Sequence, residues 1–212
     1  MRRVSDWLQD LAVAILAIPN PALLTRDSLK MCWTAIPIES ASPPAPYRVG
    51  ELRDRTAPIE WINTMTEAGM PVTARTWHAE VVDRLDAKVP SVFADDRLVA
   101  SAILRPIAGV DDAAHLMWVA VSPAHQGKGL GRVVVAAAMH AAAGRYRTVF
   151  LLTDDQRKPA IALYLSLGFK PCLNSWDRTQ HLRWQRLSAA LNISLPYCRE
   201  PGHRDAIANM SR

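Results

Sequence analysis

The chain has 212 residues, half of them apolar and about a fifth charged, with a formal net charge of +5. That length allows one domain of ordinary size with additions at its ends, and the composition excludes a disordered, collagen-like or fibrous protein. The basic excess favours anionic ligands, but it is scattered over Arg2, Arg3, Arg145, Arg147, Arg157, Lys158 and the C-terminal tail without a long Lys/Arg run interleaved with aromatics, which argues against a nucleic-acid partner. Cys32, Cys172 and Cys198 lie far apart without Cys-x-x-Cys or Cys/His ligand spacing, so they form neither a disulfide framework nor a metal site and read as reduced thiols of a cytoplasmic protein.

Val4, Trp7, Leu8, Leu11, Ile15 and Ile18 recur at helical spacing, and residues 1–38 therefore read as an N-terminal amphipathic helical extension. Arg2-Arg3 before the apolar run Leu11 to Ile18 makes a poor secretory signal. Asp6 and Asp10 interrupt it, the run is too short to span a bilayer, and no small-residue cleavage site precedes Pro19. Packing on the domain is the simplest role for this helix, with a second subunit or a membrane surface as alternatives. Residues 39–46 then shift to Ser, Ala and three prolines and mark a linker.

A domain over residues 47–176 follows. Tyr47 to Leu52 reads as its first strand. Ile59, Trp61, Ile62 and Met65 indicate a short helix, and Thr73 is a fitting N-cap for another whose apolar side holds Trp77, Val81 and Leu85. Val89 to Ala94 and Leu98 to Leu104 form a hairpin about Asp95-Asp96. A third strand runs from about Ala114 to Val121, and period-two alternation puts His115 on the face of Met117, Val119 and Val121.

That strand breaks at Ser122-Pro123 into Ala124-His125-Gln126-Gly127-Lys128-Gly129-Leu130-Gly131-Arg132. Glycines at 127, 129 and 131 let successive N–H groups converge without obstruction by Cβ, and the helix that follows turns its unpaired donors and positive dipole end to the same point. The spacing matches neither the P-loop Gly-x-x-x-x-Gly-Lys-Ser/Thr nor the dinucleotide Gly-x-Gly-x-x-Gly. Val133, Val134, Ala137, Ala138 and Ala141 are the expected buried face of the helix, which ends at Gly144. Thr148 to Thr153 is a buried strand, and Ala160-Ile161-Ala162-Leu163-Tyr164-Leu165-Ser166-Leu167-Gly168-Phe169 is a short packed helix stopped by glycine. Leu182, Trp184, Leu187 and Leu191 predict a helix in the tail, residues 177–212.

Gln126-Gly127-Lys128-Gly129-Leu130-Gly131 after Val121-Ser122-Pro123, with Ala160 to Phe169 about thirty residues on, resembles the GNAT (GCN5-related N-acetyltransferase) family over roughly Tyr47 to Asn174. The resemblance implies an α/β (α+β) fold with a mixed, mostly antiparallel central sheet flanked by helices, here with extra N- and C-terminal helical segments. It implies an acyltransferase that moves an acetyl group from acetyl-CoA to an amine by direct attack in a ternary complex, without a metal. In that reading Val119, Ala120 and Val121 pair with the pantetheine arm, and Gln126, Gly127, Lys128, Gly129, Leu130, Gly131 and Arg132 hold the pyrophosphate. Tyr164 is the general acid toward sulfur and His115 the candidate base, with Glu60, Glu80, Asp154 and Asp155 open as alternatives. Where many relatives carry Asn-x-x-Ala, this chain has Arg157-Lys158-Pro159-Ala160. Arg157 then either replaces the asparagine's coenzyme contact or selects an anionic acceptor. The acceptor itself, a small-molecule or peptide amine, is not specified by any motif. A non-catalytic acyl-CoA-binding module and an aminoacyl-tRNA-type substrate are competing readings, and apolar helices at both ends are compatible with a homodimer.

Overall fold

The computed structural model describes residues 28–34, 38–39, 41–52, 58–84, 86–107, 110–173, 178–195 and 198–199. The helix expected between Val4 and Ile18 lies outside them, as does Leu85. In chain order the elements are β1 (Leu29–Thr34), β2 (Tyr47–Glu51), α1 (Ile59–Glu67), α2 (Ala74–Trp77, continued by a π turn His78–Val82), β3 (Pro90–Ala94), β4 (Arg97–Ile107), β5 (Val110–Val121), α3 (Leu130–Ala142), β6 (Thr148–Thr153), α4 (Lys158–Ser166), β7 (Lys170–Leu173), α5 (Arg178–Leu191) and β8 (Cys198–Arg199). The chain divides into two compact units, residues 34–107 with 111–150, and the remainder.

In the first unit β2, β3, β4, β5 and the start of β6 are neighbours in that order. β2 pairs antiparallel with β3 from Tyr47 opposite Ala94 to Glu51 opposite Pro90. β3 pairs antiparallel with β4, with a register shift between Val92 and Phe93. The hairpin closes at Asp95, whose φ of 53° is one that Asp tolerates better than most residues. β5 and β6 are parallel where Ala113 to His115 meet Thr148 to Phe150. The mixed, mostly antiparallel sheet flanked by helices expected from the sequence is thus present.

β4 is buried at every position from Leu98 to Arg105, which an alternating strand achieves only when both of its faces are covered. α1, α2 and their connection cover one face through Trp61, Met65, Met70, Val72, Trp77 and Val81, packed on Leu98 and Ile103. α3 also packs on β3 and β4. It is buried nearly all round. Val133, Val134 and Ala138 face inward as expected, but so do Val135, Ala136, Met139 and Ala142, whereas Ala141 is exposed and Ala137 half-buried.

Among the described residues of this unit one ion pair is buried on both sides. Glu80, on the π turn, and Arg105, on β4, are 1% and 9% exposed, with Arg105 Nε 3.2 Å from Glu80 Oε2. The contact is close but is not a hydrogen bond, and both Glu80 oxygens and Arg105 Nε lack a hydrogen-bond partner. Desolvation raises the Glu80 pKa against the pull of Arg105 and Arg84. Desolvation also lowers that of Arg105. A pair of this kind is weak support for stability, but removing one partner leaves a buried charge.

In the second unit β1 runs antiparallel to β7, with Met31 opposite Pro171, and β7 runs parallel to β8, with Cys172 opposite Cys198. Leu29, Met31, Cys32 and Trp33 are buried. β1 corrects the reading of residues 1–38 as a helical extension, since residues 29–34 are a strand paired with β7. Cys32 and Cys172 are buried and are not joined in a disulfide. α5 confirms the expected tail helix and buries Trp184 and Leu187, but Leu182 is 54% exposed. Arg183 of α5 donates through Nε to Asp155 at 2.9 Å, and Gln180 donates to the Ser28 carbonyl at 3.0 Å.

Glu80→Leu is expected to cost about 3–5 kcal/mol in urea unfolding at pH 7, because the Arg105 guanidinium cannot shed its charge. Arg105→Met should cost less, since Glu80 can take up a proton, and Glu80→Leu with Arg105→Met should recover most of the loss. The sign with pH follows from the raised Glu80 pKa: the folded state holds that proton more tightly than the unfolded chain. Stability of Arg105→Met should therefore fall as pH rises from the ordinary glutamate value through the raised one, and be higher at pH 5 than at pH 7.

Candidate functional site

The exit of β5 is tied to two other elements before the glycine loop begins. Ser122 donates its N–H to the Val99 carbonyl at 2.8 Å and its hydroxyl to Glu67 Oε2 at 2.7 Å, while Arg97 donates to Glu67 Oε1 at 2.8 Å. The Ser122 hydrogen bond, aided by Arg97 and opposed by desolvation, holds the Glu67 carboxyl below its ordinary pKa. Glu67 ends α1, so this carboxylate joins that helix to the open end of the β4–β5 pair, where the start of β4 lies beside the exit of β5.

A single 3-10 turn, Pro123–His125, follows, and Gln126 folds back to donate its amide to the Val121 carbonyl at 3.1 Å. Gly127 and Gly129 then take φ of 75° and 77°, the left-handed region that favours glycine. A Cβ built at either would meet nothing within 4 Å. The glycines are therefore needed for backbone conformation rather than for room, which corrects the obstruction argument made from the sequence. Gly131 differs again, lying in the first turn of α3. Gly129 is the N-cap of α3 and offers no side chain to its first-turn N–H groups, in contrast to the Thr73–Thr76 capping box of α2.

Around this end Leu130 is buried and anchors the helix, while Arg132 is exposed. Lys128 donates its ammonium to Tyr47 Oη at 2.9 Å, and Tyr47 Oη is 2.9 Å from His125 Nδ1. These two contacts bring β2 onto the loop. A 360 Å³ cavity lies on the α1 side, lined by Glu60, Asn63, Thr64 and Glu67 of α1 and by Asp96, Arg97 and Leu98 of the hairpin. Its ionisable lining is three carboxylates against one guanidinium.

On β5 itself, His115, Met117, Val119 and Val121 are half-buried and Leu116 and Ala120 buried. Trp118 adopts φ of 53°, an outlier for a bulky residue inside a strand. A left-handed residue interrupts the regular pleat locally, yet burial keeps its period of two across position 118, with Leu116 and Ala120 buried and His115, Met117, Val119 and Val121 half-buried. The Trp118 ring meets Trp61 edge-on at 6.1 Å, and Trp61 lies 5.3 Å from Trp77.

Tyr164 and Arg157 belong to the second unit. Tyr164 is buried, its ring 5.8 Å from Phe169, and burial pushes its pKa up to about 12 against the opposing charge of Arg157. Its helix stops at Gly168, φ 87°, as expected. Arg157 donates through Nε to Asp154 Oδ2 at 2.8 Å. The structure thus gathers Gln126 to Arg132 at one helix end, places His115 and Val119–Val121 on β5, and sets Tyr164 and Arg157 on and before α4. The sequence reading missed Tyr47, Glu67, Ser122 and His125, whose residue types carry no signal apart from their partners. Among the described residues no group of three His, Cys, Asp or Glu could hold a metal ion, and no helix is long and apolar enough to cross a membrane.

Gly129→Ala should destabilise by about 1–2 kcal/mol in urea unfolding, the cost of a left-handed non-glycine residue. Gly131→Ala, at a helical position, should be neutral or stabilising. Equal losses at both sites would contradict the conformational role given to Gly129.

The sequence model of the Acetyltransferase (GNAT) family matches residues 49–169. Mycothiol acetyltransferase of Nocardioides sp. is 39% identical over 69 residues, 32% of this chain and 22% of that protein. A GCN5-related N-acetyltransferase from Sphaerobacter thermophilus superposes with a TM-score of 0.56 at 19% identity, over 68% of this chain and 48% of that one. One from Kribbella flavida does so with a TM-score of 0.52 at 18% identity, over 69% and 55%. The match therefore spans about a fifth of the curated relative and about half of these structures. With the family's loop and closing Tyr164 to Phe169 segment in place within the matched span, the chain belongs to the GNAT acetyltransferase family.

Proposed function

We propose that this protein transfers an acetyl group from acetyl-CoA to an amine. The observation that carries the reading is the start of α3, where two left-handed glycines and a helix without a side-chain cap leave backbone donors for an anion, with Lys128 and Arg132 within the same turn. A diphosphate supplies the acceptors and charge that such an end lacks.

The pantetheine arm then lies along Val119, Ala120 and Val121, where backbone groups pair with its amides and one N–H faces the thioester oxygen as charge develops there. The left-handed Trp118 supports this assignment, because a broken pleat re-aims the backbone groups beside it. The amine loses a proton to His115, directly or through water, and its lone pair attacks the thioester carbon. Collapse of the tetrahedral intermediate breaks the C–S bond, and the departing sulfur is met by the Tyr164 hydroxyl. The cavity lined by Glu60, Glu67 and Asp96 suits a cationic acceptor approaching α1. Small amine, amino acid and peptide N-terminus all meet that description.

A specific observation favours a second reading, a non-catalytic acyl-CoA-binding module. Burial holds the Tyr164 phenol at about 12, above the ordinary thiol range, so passing its proton to the departing thiolate is uphill. Tyr164 thus acts as a hydrogen-bond donor until the sulfur is neutralised from elsewhere. Arg157, engaged by Asp154, is the less favoured of the coenzyme contacts.

Calorimetric titration with acetyl-CoA, with desulfo-CoA and ATP for comparison, tests the reading. Saturable binding of both coenzyme forms well above ATP, followed by acetylation across an amine panel, is expected. Binding without turnover would select the module, and absence of binding would remove both. Tyr164→Phe should lower kcat by about 10–100-fold with an unchanged Kd for acetyl-CoA, and no alkaline fall in rate below about pH 11 should trace to Tyr164, since its proton is retained to about 12.

A further inference from the structure

The ammonium of Lys128 is the one side-chain charge between the two left-handed glycines, and it turns back toward the body of the first unit. It donates to Tyr47 Oη at 2.9 Å and to the Ala124 carbonyl at 3.4 Å, and it lies 5.6 Å from the centre of the Tyr47 ring. Tyr47 Oη also lies 2.9 Å from His125 Nδ1, with the two rings edge-on at 5.6 Å. Lysine can only donate, so Tyr47 accepts from it and retains one hydroxyl hydrogen, for which His125 Nδ1 is the acceptor at hand. The consistent direction is Lys128 to Tyr47 to His125. Tyr47 opens β2, held by its pairing with Ala94, and its N–H donates to the Pro44 carbonyl at 2.9 Å.

We infer that Tyr47 is a positioning residue for coenzyme phosphate: its hydroxyl and ring hold the ammonium of Lys128, the residue before the N-cap of α3, in one place, so that the charge is ordered before the diphosphate arrives. This rests on the coenzyme reading above and adds to it a residue some eighty positions away that the family's loop motif does not include. The energetic reason is preorganisation. A lysine side chain free to rotate loses conformational entropy when it engages a phosphate, and a lysine already parked on a tyrosine has lost most of it beforehand. Tyr47 itself need not touch the ligand.

The test is a double-mutant cycle read by calorimetry with acetyl-CoA and desulfo-CoA on the full chain. Tyr47→Phe keeps the ring and removes the hydroxyl, and it should raise Kd about three- to tenfold for both ligands; Lys128→Ala should raise it about tenfold. In the Lys128→Ala background, Tyr47→Phe should then have no further effect. Multiplicative losses in the double variant, or an unchanged Kd in Tyr47→Phe, would overturn the inference while leaving the coenzyme reading intact. A loss seen with acetyl-CoA but not desulfo-CoA would place Tyr47 at the thioester and overturn it as well. If the unmodified chain binds neither ligand, the coenzyme reading fails and takes this inference with it. Should Tyr47→Phe unfold, the Kd of Lys128→Arg serves instead: a longer cation with other donor geometry should lose affinity only if the tyrosine contact matters, and unchanged affinity would count against it.

Discussion

Helix α3 begins at a left-handed glycine that has no side chain to satisfy the backbone donors behind it, and the first unit is organised around that unsatisfied end. A helix end of this kind needs an acceptor from outside the helix. The chain could have supplied one cheaply, as Thr73 does for α2. Instead it spends its nearby polar groups on fixing the approach: Ser122 on Glu67, Gln126 on the Val121 carbonyl, Lys128 on Tyr47. None of these bonds caps α3. Together they hold the loop from which the uncapped helix starts.

The same unit carries two features that a sequence selected only for packing would avoid. Trp118 sits in a backbone region costly for a bulky side chain, and Glu80 faces Arg105 out of water without a hydrogen bond. The Trp118 strain is compensated by the aromatic packing of Trp61 and Trp77 on the side of α1 and α2. It lies directly before the residues assigned to the pantetheine arm, so conformational cost and proposed chemistry coincide. The Glu80–Arg105 pair has no such neighbour. Its place between the π turn and β4 makes it a joint between helix and sheet, and its fragility to single substitution is a property of the core.

Much of the fold was legible because local rules sufficed. Alternating and continuous apolar runs marked β2 to β6 to within a few residues, Thr73 marked a helix start, and Gly168 a helix stop. Failures came where local rules do not reach. Residues 29–34 contain Lys, Cys and Trp in a short run that reads equally as helix or strand, and only pairing with β7 makes them a strand. α3 was assigned a single buried face because periodicity assumes one covered side; packed nearly all round, it buries Val135, Ala136 and Met139 as well. Leu182 shares the apolar spacing that predicts the tail helix, yet α5 buries Trp184 and Leu187 and leaves Leu182 exposed.

By itself the sequence determined the glycine loop, the helix after it and the Tyr164 segment, because spacing between glycines and apolar residues dictates backbone conformation without reference to distant residues. Tertiary structure decided what those residues touch. Period two could not foresee the left-handed backbone at Trp118, and no motif could announce that Glu67 would hold Ser122 or that Tyr47 would hold Lys128. Such contacts join positions dozens of residues apart. They depend on side-chain atoms arriving within about 3 Å after the strands have paired, and a linear pattern carries no such distance.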